Sequence, residues 1–169
     1  MSQDETTTTR ERTTTWEDPA ISASHLGREP GPAMLEAVRD GKIPPAPIAA
    51  TLRFDLDVVE EGRAVFSLEA AEHHYNPIGS VHGGVFATLL DSAAGCAVHS
   101  TLAAGVGYTS IDLNVKFVRA MTAATGRVTC EGRVVNRGRR LALAEATITD
   151  AAGRLLATAT SSCLIFDLP

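Results

Sequence analysis

The run from Gly83 to Leu102 sets the strongest limit on how this chain can fold. It is apolar around most of a helical circumference, and a helix of that kind is wrapped by other elements rather than laid on a surface. Between Val85 and Val98 its only charge is Asp91. An unpaired carboxylate is costly to bury, so Asp91 calls for a partner or a chemical task. The Gly83-Gly84 pair at the head of the run leaves bare backbone N–H groups at the positive end of a helix dipole. Such a terminus can hold an oxyanion, and its plainer alternative is a tight turn that lets the helix approach a strand.

The rest of the chain supplies what can wrap this helix. With 169 residues, 44% of them hydrophobic, the sequence supports one core and is short for two. Residues 1–30 hold two threonine runs with little apolar surface, which predicts a disordered tail in which Trp16 is the one large anchor. Residues 31–47 predict a short helix carrying Met34, Leu35 and Val38, opened at Pro32 and ended by Gly41, then an extended connector from Ile43 to Pro47. Residues 48–169 form the main domain. Strands are expected over 51–59 and 63–70, joined at Glu60-Glu61-Gly62, and then over 108–118, 126–136, 140–150 and 154–166. Leu141 to Ala146 has helix-forming composition, and only the flanking turns argue for a strand there. The outcome is an α+β chain, an antiparallel sheet curved around a long central helix.

Charge and special residues narrow the function. A net charge of −5 argues against bulk nucleic-acid binding. Seven basic residues nevertheless fall between Lys116 and Arg140 against the single acid Glu131, a patch that suits a small polyanion or, more plainly, solvated strand edges. Cys96, Cys130 and Cys163 are too widely spaced for a zinc site or a disulfide framework. His73, His74 and His82 lack metal-binding spacing, so no metal is expected. No stretch of 18 apolar residues and no leader pattern is present, which predicts a cytoplasmic protein without membrane contact.

Asn76-Pro77-Ile78-Gly79-Ser80-Val81-His82-Gly83-Gly84, followed by Asp91 and then by Ser110-Ile111-Asp112-Leu113-Asn114, resembles the hotdog-fold acyl-CoA thioesterases, and among them the phenylacetate-degradation (PaaI-like) subgroup. The resemblance runs from about Ile48 to Phe166. It implies a homodimer or dimer of dimers with a substrate tunnel between subunits, hydrolysing an acyl-CoA thioester in which coenzyme A is part of the substrate and no cofactor is needed. By position, Gly83 would give the N–H that polarises the carbonyl, with Asn76 assisting and His82 orienting the loop or supporting the leaving thiolate. Asp91 would be nucleophile or general base, and Ser110, or Thr109 beside it, would hold the attacking water. Gly84 and the Arg137-Gly138-Arg139-Arg140 turn would meet the coenzyme A portion, whose phosphates arginines match well. Phe86, Leu90 and Tyr108 would set the depth of the tunnel.

A physical constraint stands beside the resemblance. Asp91 lies eight helical steps after Gly83, about 12 Å at 1.5 Å per residue. One helix therefore cannot offer both its N-terminus and Asp91 to one carbonyl, and the two must come from different subunits. Two other readings remain, an acyl-CoA binding module without turnover and a hotdog hydratase or dehydratase.

Overall fold

The computed structural model describes residues 8–169. In chain order the elements are α1 (Pro19–Ala23), α2 (Gly31–Arg39), α3 (Pro47–Leu52), β1 (Phe54–Glu60), β2 (Arg63–Glu69), α4 (Gly83–His99), β3 (Val106–Ser110), β4 (Asn114–Phe117), β5 (Arg127–Arg137), β6 (Leu141–Asp150) and β7 (Leu155–Asp167). The strands form one antiparallel sheet in the order β1-β2-β5-β6-β7-β3, with β4 also paired to β7. Helix α4 packs against β2, β5, β6 and β7. Leu89, Leu90, Ala93, Ala94, Ala97 and Val98 of α4 are fully buried, as an all-round apolar helix requires.

How close the sheet comes to this helix is decided by small side chains. Along β6 the inward positions are Ala142, Ala144, Ala146 and Ile148, while Leu141, Leu143 and Glu145 face out. This two-residue period makes the segment a strand despite its helix-forming composition. At Gly132 of β5 the approach is closest: an added Cβ would lie 2.1 Å from the carbonyl oxygen of Ala93 and 2.7 Å from the nitrogen of Ala94. Backbone meets backbone there, and no flexible side chain can yield. Gly132→Ala should cost about 3 kcal/mol, the upper part of the range for overpacking, and lower the melting temperature by about 10 °C in a thermal melt.

The segment expected as one strand over 108–118 is two strands. From Ser110 to Asn114 the chain advances four residues while its partner strand runs only from Cys163 to Thr160. The extra residue is absorbed at Ile111 to Leu113, where Ile111 N donates to Ser162 O, Asp112 O accepts from Ser161 Oγ, and Asp112 Oδ1 accepts from Ser162 N at 2.8 Å. As a result Tyr108 and Ser110 face the helix before the break, and Val115 packs against the core after it.

Other boundaries moved for local reasons. Residues 47–52, expected as connector and strand, form α3: Pro47 starts the helix with its fixed φ and Ala49 and Ala50 propagate it, so β1 begins at Phe54 after a left-handed Arg53. Helix α4 stops at His99, with Ser100 as its cap, rather than at Leu102. Of the segment read as a disordered tail, residues 1–7 lie outside the described residues. Residues 8–30 contain α1, capped by the Asp18 side chain. They are tied down by Arg10 on Glu72 at 2.8 Å and by Arg12 on His73 and on Thr51 O, whereas Trp16 is 61% exposed and anchors nothing.

Candidate active site

Helix α4 begins from a loop that its own side chains hold. Asn76 Oδ1 accepts from Ile78 N at 3.1 Å and Ser80 N at 3.2 Å, and Asn76 Nδ2 donates to Ser80 Oγ. This Asx-type turn requires the positive φ found at Gly79. His82 caps the helix: its Nδ1 accepts from Gly84 N at 2.9 Å, which leaves Nε2 as the protonated, donating nitrogen of the neutral ring. The Gly84 N–H is therefore spent on His82. The Gly83 N–H has no acceptor among the described residues and is the donor that remains for a ligand. Above it lies the Phe117 ring, whose Cζ would stand 3.0 Å from a Cβ added at Gly83.

Asp91 looks out from the middle of α4 into a cavity of about 1050 Å³. The floor is α4, with Asp91, Ser92, Gly95 and Cys96; β1 forms one wall through Phe54 and Leu56, and β3 the other through Tyr108 and Ser110. Met34 and Val38 of α2 line it as well, as do Thr13 to Thr15. Ser110 Oγ donates to Asp91 Oδ1 at 2.9 Å. Oδ2 carries no hydrogen bond among the described residues, so the carboxylate offers one oxygen to whatever enters. Burial, reinforced by the charge of Asp91, pushes the Cys96 thiol up to about 12, so this sulfur stays protonated and is no rival nucleophile. Burial likewise raises the Tyr108 phenol well above its ordinary range and lowers His99.

The chain brings Asp91 and Ser110 together and separates them from the other candidates. Thr109 is exposed on the opposite face of β3, which leaves Ser110 as the hydroxyl beside Asp91. His82, Gly83 and Gly84 stand at the start of α4, about 12 Å along its axis from Asp91, Asn76 lies in the loop before them, and none of the four lines the cavity. Asn76 is occupied with the loop, leaving one amide hydrogen unused. The Arg137-Gly138-Arg139-Arg140 turn belongs to the far end: Arg137 Nε donates to Thr101 Oγ1, just past the C-terminus of α4 and about 25 Å from the glycine pair. Of the residues expected to set pocket depth, Phe86 and Leu90 are buried in the core, and only Tyr108 reaches the cavity. Met34 and Val38, legible in sequence only as one face of a short helix, are walls that sequence reasoning missed. No group of three or more metal-binding side chains occurs among the described residues.

Removing the Ser110 hydroxyl should leave Asp91 without its one partner. Ser110→Ala is expected to lower kcat about 10-fold with KM little changed, and Ser110→Thr to restore most of it, in a steady-state assay of the activity assigned below.

Comparison with known proteins gives this geometry its family. The model of the family described as "Thioesterase superfamily" matches residues 78–157, a span that includes the loop from Ile78 onward, α4 and Asp91. The 1,4-dihydroxy-2-naphthoyl-CoA hydrolase of Listeria monocytogenes is 29% identical over 106 residues, 63% of this chain and 85% of that protein. An esterase-type protein of Saccharolobus solfataricus is 30% identical over 107 residues, 63% of this chain and 74% of its own length. Among solved structures, a phenylacetic acid degradation-related protein from Ralstonia eutropha JMP134, whose name places it with the thioesterases, superposes with a TM-score of 0.70 at 28% identity, covering 77% of this chain and 98% of that one. A curved antiparallel sheet around one buried helix, a bare N–H at that helix's start and a single carboxylate in its middle thus come with relatives of one kind: the chain belongs to the thioesterase superfamily and is a hotdog-fold thioester hydrolase.

Proposed function

We propose that the chain hydrolyses acyl-CoA thioesters at sites shared between two copies of itself. The observation that carries this reading is the separation of the two halves of the machinery. The free Gly83 N–H and the Ser110-held Asp91 lie on one helix, about 12 Å apart along its axis. An attacking water must sit within about 3 Å of both the base and the reacting carbon. A second copy, turned so that its α4 start faces the first copy's open cavity, satisfies both demands, and a two-fold axis would make two such sites.

In this arrangement the Gly83 N–H of one subunit polarises the thioester carbonyl and stabilises the oxyanion, assisted by the helix dipole. His82, with Nε2–H turned outward, donates to the departing thiolate, and the loop that Asn76 braces keeps that imidazole in place. The other subunit's Asp91, its Oδ1 fixed by Ser110, uses Oδ2 as general base toward water or as nucleophile toward the carbonyl. The exposed Arg139 and Arg140 meet the coenzyme A phosphates. The acyl group occupies the cavity between β1 and β3, which has room for an aryl or a medium-length alkanoyl chain.

Subunit complementation tests the shared site. Asp91→Asn and Gly83→Pro chains, each inactive alone, are mixed and allowed to exchange, and coenzyme A release is followed. Half of the random dimers are mixed and each has one intact site, so about a quarter of wild-type activity should return. No recovery on proven exchange would place the whole site within one chain. Tight binding of coenzyme A esters without turnover, indifferent to Asp91→Asn, would mean a binding module instead.

A further inference from the structure

Among the polar side chains that line the cavity beside Asp91 and that the hydrolysis above does not use, Tyr108 is the one on the same strand as Ser110. Tyr108 lies on β3, two residues before Ser110, with its ring between the His99 imidazole, 5.5 Å away between centroids, and the backbone of α4 at Gly95. Its Oη stands 3.0 Å from where a Cβ on Gly95 would be, so a side chain there would press on the hydroxyl. Tyr108, Gly95 and Cys96 all line the cavity. The phenol oxygen has no hydrogen bond among the described residues, yet it is not a sealed unsatisfied atom, so it is open to the cavity. Burial keeps the phenol protonated across the physiological range, so it donates. Phe54, Leu56, Phe66, Met34 and Val38 supply apolar wall to the same cavity.

An unpaired donor in an apolar pocket is a cost that a ligand can remove. Gly95 follows Asp91 by four residues, one helical turn, or about 6 Å along the axis. Resting on the acyl-CoA reading above, we infer that Tyr108 selects acyl groups carrying a hydroxyl or carbonyl oxygen about one helical turn from the thioester carbon, and hydrogen-bonds that oxygen. A ring with an oxygen on the far side from its thioester has that reach, and the aromatic walls suit it. Tyr108 is here a specificity-determining residue and takes no part in bond breaking. A site built to bond a substrate hydroxyl discriminates against the analogue without it, because its own donor is then left unmatched.

The test pairs substrates that differ only in that oxygen, 4-hydroxybenzoyl-CoA and benzoyl-CoA, with wild type and Tyr108→Phe. Phenylalanine keeps the ring's packing and removes only the oxygen. Wild type should favour the hydroxylated ester, and Tyr108→Phe should lose about 10-fold in kcat/KM on it while holding or gaining on benzoyl-CoA. An equal change on both esters, or an unchanged preference, overturns the inference and leaves the hydrolase reading intact. Equilibrium binding of the matching non-hydrolysable thioethers, S-(4-hydroxyphenacyl)-CoA and S-phenacyl-CoA, separates the two ideas. A preference for the hydroxylated thioether that Tyr108→Phe abolishes, in a wild type that hydrolyses neither ester, would sustain Tyr108's role and sink the hydrolase reading. No preference in binding or turnover would overturn Tyr108's role.

Discussion

Asp91→Asn should lower kcat for coenzyme A release by at least about 100-fold, with oligomeric size and thermal stability close to wild type. The amide has the carboxylate's shape, and its oxygen can still accept from Ser110, so the contact at 2.9 Å and the packing of α4 survive. What disappears is the negative charge and the basic Oδ2 that faces the cavity. An amide neither takes a proton from water nor attacks a carbonyl, so both routes open to Asp91 fail together. Thiol release from a panel of aryl- and alkanoyl-CoA esters, read with a thiol reagent, gives the result directly. A variant retaining a tenth or more of the wild-type rate would make Asp91 a structural acid held by Ser110.

Gly83→Pro is expected to cost about the same in rate for the opposite reason, because it deletes a donor instead of a base. Proline is the one substitution that removes a backbone N–H, and the first residue of a helix is where it does least harm. His82, which precedes it, already has φ −61° and ψ 139°, the extended conformation that a following proline requires. The helix should therefore start as before, with the Phe117 ring moving slightly from the 3.0 Å contact. Removing one oxyanion donor typically costs 100-fold to 1000-fold in kcat, and a loss of about 100-fold with near-native circular dichroism would identify this N–H. Gly83→Ala, which keeps the donor and meets the same ring, is the control and should stay within a few-fold of wild type.

How much of this was legible in the sequence depended on the range of the interaction involved. The all-round apolar run named a wrapped helix, and the loop motif with Asp91 and Ser110 supplied candidate residues, of which the fold brings Asp91 and Ser110 together, because side-chain type and short spacing carry that information. Leu141 to Ala146 shows the limit: composition favours a helix, and only its pairing with β5 and β7 makes it a strand. Trp16 looked like an anchor by size and is exposed, while Arg10 and Arg12 do the anchoring through partners some sixty residues away, which no local pattern reveals. The pocket was the least readable part. Phe86 and Leu90 were natural choices for its wall, but α4 turns them into the core, and Met34 and Val38 arrive there only because α2 lies against β1.

The extra residue between β3 and β4 makes one stretch of chain answer two separate selective pressures. Upstream of it Tyr108 and Ser110 line the cavity, and downstream the inward position is filled by Val115, which packs against the core. Without the slip, alternation from Ser110 would carry Asp112 and Asn114 inward, and a change suited to one half would be tied to the phase of the other. The slip uncouples them. Tyr108 can be varied while Ser110 keeps its hold on Asp91 and the hydrophobic phase that follows stays fixed, so a mutational library directed at substrate range belongs on Val106 to Thr109, and a single deletion at Ile111 to Leu113 would scramble both halves at once.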